Sequence, residues 1–347
     1  MRNKESGMAL VLTLLAVSFL VAVTVQLNMS VNWQLQAAAN QRDSIRLEGM
    51  INSGLSLVRA ALLADQLENE FDSSYDGWAN LDPEDLVNLI PGGSIEILVD
   101  DLSGRLQVNG LVMTEEEKTK WRQSQQKRGK QQDQAAKDPE KTQRDLWLRF
   151  LTSGKFAIDD EEHAATLVDG LSDWLDEDDD ERERGAESSY YSSQDPSYVS
   201  RNGPLLYPEE LLLVKGMTPV ILYGDEEHSG IIEYLTVAGR DGKLNINTAP
   251  NLVLQALARD ITEEMVQELI DFRKDEQNQE VLERPDWYRQ VGGFPGDIEL
   301  DKDLVTTSSS YFQVTATATF DNLTRRGSGI LLRDKNQEQT LVYWKVE

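Results

Sequence analysis

A chain of 347 residues, at about 100–200 residues per domain, has room for roughly two or three domains. Its 61 acidic residues against 34 basic ones give a formal charge of −27, the wrong sign for a free-standing nucleic-acid binder, whose affinity comes from Lys and Arg displacing counterions. With no cysteine there can be no disulfide and no thiol catalysis, and the two histidines, His163 and His228, are too isolated to suggest a triad or a zinc site, so no enzyme is expected.

The chain opens with MRNKESG, which carries Arg2 and Lys4, followed by the uncharged run Met8–Val25 without Gly or Pro. Eighteen residues of helix are about 27 Å long, close to the hydrocarbon thickness of a bilayer. The next charges are Arg42 and Asp43, so the basic leader is expected to stay in the cytoplasm and the rest to cross over. Three readings compete: a secretory signal cut near Ala37–Ala39, a plain single-span anchor, and a prepilin-type leader cut after Gly7 to leave Met8 as the new N-terminus. The third accounts for the Gly at the junction, the short charged leader and an apolar run that begins directly after the cut. The first is disfavoured by an apolar run longer than a signal peptide's and by the polar stretch from Gln26.

The apolar stripe continues past Val25. Leu27, Val31, Leu35 and Ala38, then Ile51, Leu55, Val58 and Leu62, recur at steps of three and four. No proline precedes Pro83, so the spacing predicts one helix of about sixty residues, its first half in lipid and its second half packed on a domain, with Gly49 and Gly54 as weak points. Ser94–Val99 and Arg105–Val108 flank a turn with Gly104 and read as a hairpin, and Tyr234–Val237 and Leu244–Ile246 flank a similar turn with Asp241 and Gly242.

Between Glu115 and Arg144 a Gln- and Lys-rich stretch reads as a solvated insertion or a frayed helix. Helical spacing returns with Leu146 and Phe150, then Ala164, Leu167, Val168, Leu171 and Leu175; Pro208–Val214 reads as a short helix ending at Gly216. Thr248–Ala258 and Thr262–Lys274 read as helices opened by Thr N-caps. Finally Phe312, Val314, Ala316, Ala318 and Phe320 alternate with polar residues as a half-buried strand, and Leu341–Val346 supplies another. The fold class expected is α+β: a pilin-like long N-terminal helix and antiparallel sheet, with a large inserted helical domain.

Several motifs in a fixed order now carry a resemblance: ESGMALVL at the junction, DGLSDWLDED at Asp169–Asp178, GAESSYY from Gly185, EELLLVKGM from Glu209, and GKLNINTAP ending at Pro250. In these the chain resembles the general secretion pathway protein K family, minor pseudopilins of the type II secretion system, over nearly its whole length. The resemblance implies a leader at 1–7, a transmembrane part of the helix at 8–25 and the start of a pilin-like domain at 26–112. An inserted helical domain with an acidic loop follows at 113–230, then a second, helix-hairpin-helix-like one at 231–300 and the closing strands at 301–347. It also implies cleavage and methylation by prepilin peptidase between Gly7 and Met8, a single pass through the inner membrane with the bulk in the periplasm, and partnership with the other minor pseudopilins, the I and J components.

Most pilin-like subunits hold a Glu at the fifth mature position to neutralise a neighbour's buried N-terminal amine; here that position is Leu12. A carboxylate in the bilayer core costs around 3 kcal/mol unless partnered, so its loss fits a subunit with no neighbour above it, at the tip. The acidic loop is the candidate chemical site. Asp176, Asp178, Asp180 and Glu187 fall at the carboxylate spacing of an EF-hand calcium loop, but the sixth position is Glu181 where that loop's turn requires Gly. An EF-hand is therefore not expected. The resemblance implies a structural calcium held by Asp173, Asp176, Asp178 and Glu187; Asp180 rests on the spacing alone.

A rival reading starts from LNINTAP and the two helices after it, which resemble the helix-hairpin-helix units of membrane-anchored extracytoplasmic DNA-uptake receptors. Those units bind phosphate through backbone amides of a glycine-containing hairpin, whereas the joint here, Ala258–Thr262, has no glycine and carries Asp260. Asn245 and Asn247 are then expected to hydrogen-bond the turn and the start of the next helix, and no nucleic-acid partner is expected.

Overall fold

The computed structural model describes residues 3–81, 92–128 and 137–347. Met1 and Arg2 of the leader, Pro83, and Gly129 in the Gln- and Lys-rich stretch lie outside the described residues.

One helix, α1 (Asn3–Glu68, 66 residues), runs unbroken through both Gly49 and Gly54. Its first half is exposed, from Met8 through Leu35, while Leu47, Ile51, Val58 and Leu62 in its second half are fully buried. The change follows from what lies beside it: Phe312, Val314, Ala316, Ala318 and Leu331 of a sheet, together with Trp78, close over that lower stripe. Each such side chain removed from water contributes about 1.5–3 kcal/mol. Gly54 has a positional reason, since a Cβ there would approach Ile95 Cδ1 to 2.7 Å.

The sheet is antiparallel, with strand order β1 (Gly93–Asp101), β6 (Tyr311–Phe320), β7 (Leu323–Arg333) and β8 (Gln339–Val346). Along β6 every second side chain is buried against α1, as the alternation predicts. The sheet joins the first strand of the chain to the last three, so everything between Asp101 and Tyr311 is an insertion.

That insertion holds α2 (Glu115–Arg128), α3 (Pro139–Leu151), α4 (Glu161–Leu175), α5 (Ser188–Ser192), α6 (Pro219–Tyr223), α7 (Asn251–Ala256) and α8 (Glu263–Arg273). The residues expected to divide into two helical domains share one core, from Leu106 and Val108 through Trp147, Trp174 and Leu211 to Leu254, Leu269 and Val305. Asp138 and Thr262 cap α3 and α8, their side chains accepting from Glu140 and Met265 backbone N–H groups.

Three local expectations are corrected. Neither expected hairpin forms: β1 pairs with β6, while β2 (Leu106–Gln107) lies parallel to β3 (Leu235–Thr236) and β4 (Leu244–Asn245) lies parallel to β5 (Val305–Thr306). The two-fold alternation was read correctly, but a polar turn does not choose a partner when a distant strand offers better burial. The helix expected from Thr248 begins instead at Asn251 after Pro250, because Thr248 Oγ1 donates to Asp101 Oδ2 across the domain joint. β7 was not anticipated, since its first half, LTRRGSG, carries charges and glycines on an exposed strand end.

Buried polar groups fasten the insertion to the pilin-like part. Asn245 Nδ2 donates to the Asp72 carbonyl (3.1 Å), Asp101 Oδ2 (3.1 Å) and Ser309 Oγ (2.7 Å). Asn247 Nδ2 donates to the carbonyls of Asp72 and Leu282, and its Oδ1 accepts from Trp287 Nε1. The two asparagines do order their own turn, Asn247 N–H donating to Asn245 Oδ1, but they reach much further than expected. Within the insertion itself, Gln107 donates to Asp241 Oδ1 and the Lys243 carbonyl, tying β2 to the turn before β4.

At the same joint Arg333 is buried among acids. Its Nη1 donates to Asp65 Oδ2 (3.0 Å) and the Leu62 carbonyl, its Nη2 to Asp72 Oδ1 and the Ser309 carbonyl, and the guanidinium lies over the Phe312 ring. Burial pushes the Asp72 carboxyl up to about 7 against the pull of Arg333, and burial likewise pushes Asp76 up to about 6.

Candidate metal centre

The acidic loop hangs from the end of α4. That helix starts at Asp160, whose carboxylate accepts from His163 N–H (2.8 Å), and buries Ala164, Leu167, Val168 and Leu171. Steps of four and three from Asp169 bring Asp173 and Asp176 to the same face, where Asp169 pairs with Arg144 (2.7 Å). Trp174 anchors the end of the helix against the rings of Tyr191 and Tyr198, so both ends of the loop are pinned. The loop returns at Glu187 into the one-turn α5.

Folding brings Asp176, Asp178 and Glu187 together, one carboxylate oxygen of each lying within 4.8 Å of the others. Calcium–oxygen distances of about 2.3–2.6 Å put two oxygens on one ion up to about 5 Å apart, so the spacing suits calcium. Glu187 is 2 % exposed, yet neither of its carboxylate oxygens has a hydrogen-bond partner, and Asp176 Oδ1 is orphaned in the same way. Burial, then the charges of Asp173 and Asp176, push the Glu187 carboxyl up to about 8. A buried carboxylate with no donor is costly, and a hard cation bound by oxygen is the group that satisfies it. The residues present therefore fit calcium.

The other expected residues are placed differently. Asp173 is fully buried, but its Oδ1 accepts from Arg182 Nη1 (2.6 Å) and its Oδ2 from Arg182 N–H (3.1 Å). The same Nη1 donates to Asp176 Oδ2 (2.6 Å). Asp180 is exposed, its N–H donates to Asp178 Oδ1, and it lies outside the group that Asp176, Asp178 and Glu187 form. Arg182 went unnoticed in the sequence, and so did two participants from outside the loop. Asn202, with a left-handed φ of 46°, donates through Nδ2 to the Asp178 carbonyl and leaves its own Oδ1 buried without a partner. Lys215 Nζ holds the Gly185 carbonyl (2.6 Å). Both come from a segment more than a dozen residues beyond the loop, and nothing in the local pattern points to them.

At the other end of the molecule Gly7, Met8 and Leu12 sit on the exposed first turns of α1, which is long and apolar enough to cross a membrane. In the helical pair, the joint after α7 is not an open phosphate cradle: Arg149 donates to the carbonyls of Ala256 (2.6 Å) and Leu257, and Ile261 is buried.

Comparison with known proteins agrees with the fold. Models of the family described as type II secretion system (T2SS) protein K match residues 104–223 and 244–296, the acidic loop and the helical pair. The type II secretion system protein K of Pseudomonas aeruginosa is 25% identical over 321 residues, 90% of this chain and 84% of that protein. Among solved structures, a chain of the GspK–GspI–GspJ complex from enterotoxigenic Escherichia coli superposes with a TM-score of 0.60 at 16% identity, covering 89% of this chain and 99% of that one. A membrane-anchored DNA-uptake receptor is not favoured by these matches. With the long helix, the antiparallel sheet and the large insertion all in place, the chain belongs to the type II secretion system protein K family and has the role of a minor pseudopilin in type II secretion.

Proposed function

We propose that this minor pseudopilin caps the tip of the pseudopilus and helps to start its assembly, anchored in the inner membrane by α1 with its bulk in the periplasm. The observation that carries this reading is the first half of α1. It projects free of the chain's own fold with Leu27, Val31, Trp33 and Leu35 exposed, and it has Leu12 where a subunit with a neighbour above needs an acid. The apolar stripe supplies helix-to-helix contacts to other minor pseudopilins, the I and J components; that the solved relative is part of a GspK–GspI–GspJ complex supports the choice of partners. The insertion is too broad to be covered by another subunit. Prepilin peptidase cuts between Gly7 and Met8. Mass spectrometry of the native protein should find an N-methylated Met8 as the first residue, and immunogold labelling of pseudopili should mark one end only; label repeating along the shaft would end the tip assignment.

The acidic loop holds one structural calcium through Asp176, Asp178 and Glu187. When bound, the ion supplies the positive charge that the orphaned oxygens lack and fastens the end of α4 to α5. In a melting experiment with full-length protein in detergent, calcium is expected to raise Tm by several degrees over the chelated form, and Glu187→Gln to remove most of that rise. Equal melting curves with and without chelator would eliminate the ion and leave the tip reading standing.

A further inference from the structure

The polar helix α2 carries a single apolar residue, Trp121, and that half-buried ring lines a cavity of about 360 Å³ shared with α3 and the turn before β4. Ligand pockets run from roughly 300 to 1,000 Å³, so this one has room for a single apolar side chain and the backbone beside it. Leu111, Val112 and Leu304, all buried, supply the rest of the apolar lining. Its base is preformed. A Cβ at Gly110 would come within 2.9 Å of Gly242 Cα, so the two backbones touch, and buried Gln143 locks them by donating to the Gly242 carbonyl (2.7 Å).

The rim carries acids and bases, and they are not equally free. Glu117 Oε2 accepts from Thr114 N–H (2.8 Å) and Oγ1 (2.9 Å), and Glu140 Oε1 from Met113 N–H (2.9 Å). Asp241 Oδ1 accepts from Gln107 Nε2 (2.9 Å) and Lys243 N–H (3.1 Å). Arg240 Nε, by contrast, is buried with no hydrogen-bond partner, Glu117 Oε2 standing 4.0 Å from it. The Lys243 ammonium has no partner among the described residues. Asp303 is an exposed acid on the same rim, so an incoming carboxylate is drawn to the Arg240 and Lys243 side. Cationic donors without an acceptor, set beside an apolar hole, specify a ligand that is apolar at one point and anionic next to it.

We propose that this cavity is a docking site for an acidic peptide segment of a partner protein, with one apolar side chain entering against Trp121 and the carboxylates beside it meeting Arg240 and Lys243. The site lies apart from the acidic loop and from α1, so it stands independently of the calcium and tip readings.

The test is fluorescence anisotropy of full-length protein in a nonionic detergent with a fluorescein-labelled pentapeptide, Asp-Asp-Phe-Asp-Asp. A basic probe with Lys in place of each Asp is the decisive control: on a chain of formal charge −27, unspecific attraction favours the basic peptide, so a preference for the acidic one reports the site. The acidic probe should bind saturably, at least about tenfold more tightly than the basic one, and should weaken as salt rises from about 0.05 M to about 0.3 M. Replacing its Phe by Ala should cost about tenfold on unaltered protein, and Trp121→Ala a similar factor. Arg240→Gln/Lys243→Gln, both at the surface, should leave the melting curve in place and weaken the acidic probe by about tenfold or more. Binding of the basic probe as tight as that of the acidic one, no saturable binding of the acidic probe, or variants that bind it as wild type does would each overturn the proposal.

Discussion

Replacing Arg333 by alanine is expected to destabilise the folded part of the chain by about 3–5 kcal/mol, the cost of breaking a buried ion pair by removing one partner. Arg333 stands on the last residue of β7, and its two Nη atoms bind Asp65 at the end of α1, Asp72 in the segment that follows, and the carbonyls of Leu62 and Ser309. Its loss strands two buried carboxylates and two buried carbonyls at once. It also leaves Phe312 without the guanidinium over its ring. Arg333→Lys keeps the charge but cannot hold Asp65 and Asp72 in one planar fork, so it should recover less than half of the loss. Chemical denaturation followed by tryptophan fluorescence reads this directly through Trp78, which is buried beside Phe312. A loss under about 1 kcal/mol for Arg333→Ala would mean that the network is dispensable.

The second expected result is a stability that falls as pH rises from about 4 to about 7 in calcium-free buffer. The folded chain holds protons on Asp72 and Asp76, which burial raises to about 7 and about 6, while in the unfolded chain both titrate at their ordinary carboxylate values. Between the unfolded and folded values the native state binds more protons, so stability is fully present below the unfolded pKa and is lost through the folded one. The groups facing Asp72 are Arg333, which opposes the shift, and Asp101, which adds to it; Ser309 N–H donates to Asp72 Oδ2. Asp65 faces Asp76 and is itself raised, chiefly by burial. Asp72→Asn should flatten the slope across this interval, and an unchanged slope would place the missing proton elsewhere. Because these acids lie where α1, the sheet and the insertion meet, the same titration loosens the joint between the two parts.

The resemblance among motifs was enough to place the chain, and the tertiary arrangement bears out the long helix, the late strand Phe312–Phe320 and the N-cap at Thr262. These are features written in nearest neighbours, with steps of three and four for α1 and of two for β6. Strand pairing was misread because it is a competition between distant segments. Ser94–Val99 looks ready for a hairpin with Arg105–Val108 until a more apolar partner two hundred residues away is known. The acidic loop shows the same division. Its carboxylates, including Asp173, Asp176, Asp178 and Glu187, are plain in the sequence, but counting along the chain also admitted Asp180, which points out to solvent.

What the sequence by itself determined is therefore local and one-dimensional: an apolar rod of membrane length, the absence of an acid at Leu12, an excess of carboxylates in one loop, and the periods of the helices and of β6. Only the tertiary structure decided which of those carboxylates lose their water, which are taken by Arg182 or Arg333, and which are left with empty oxygens. The reason is physical. Periodicity depends on residues a few positions apart, whereas burial, and with it the cost of an unpaired charge, depends on what the rest of the chain brings to the same place.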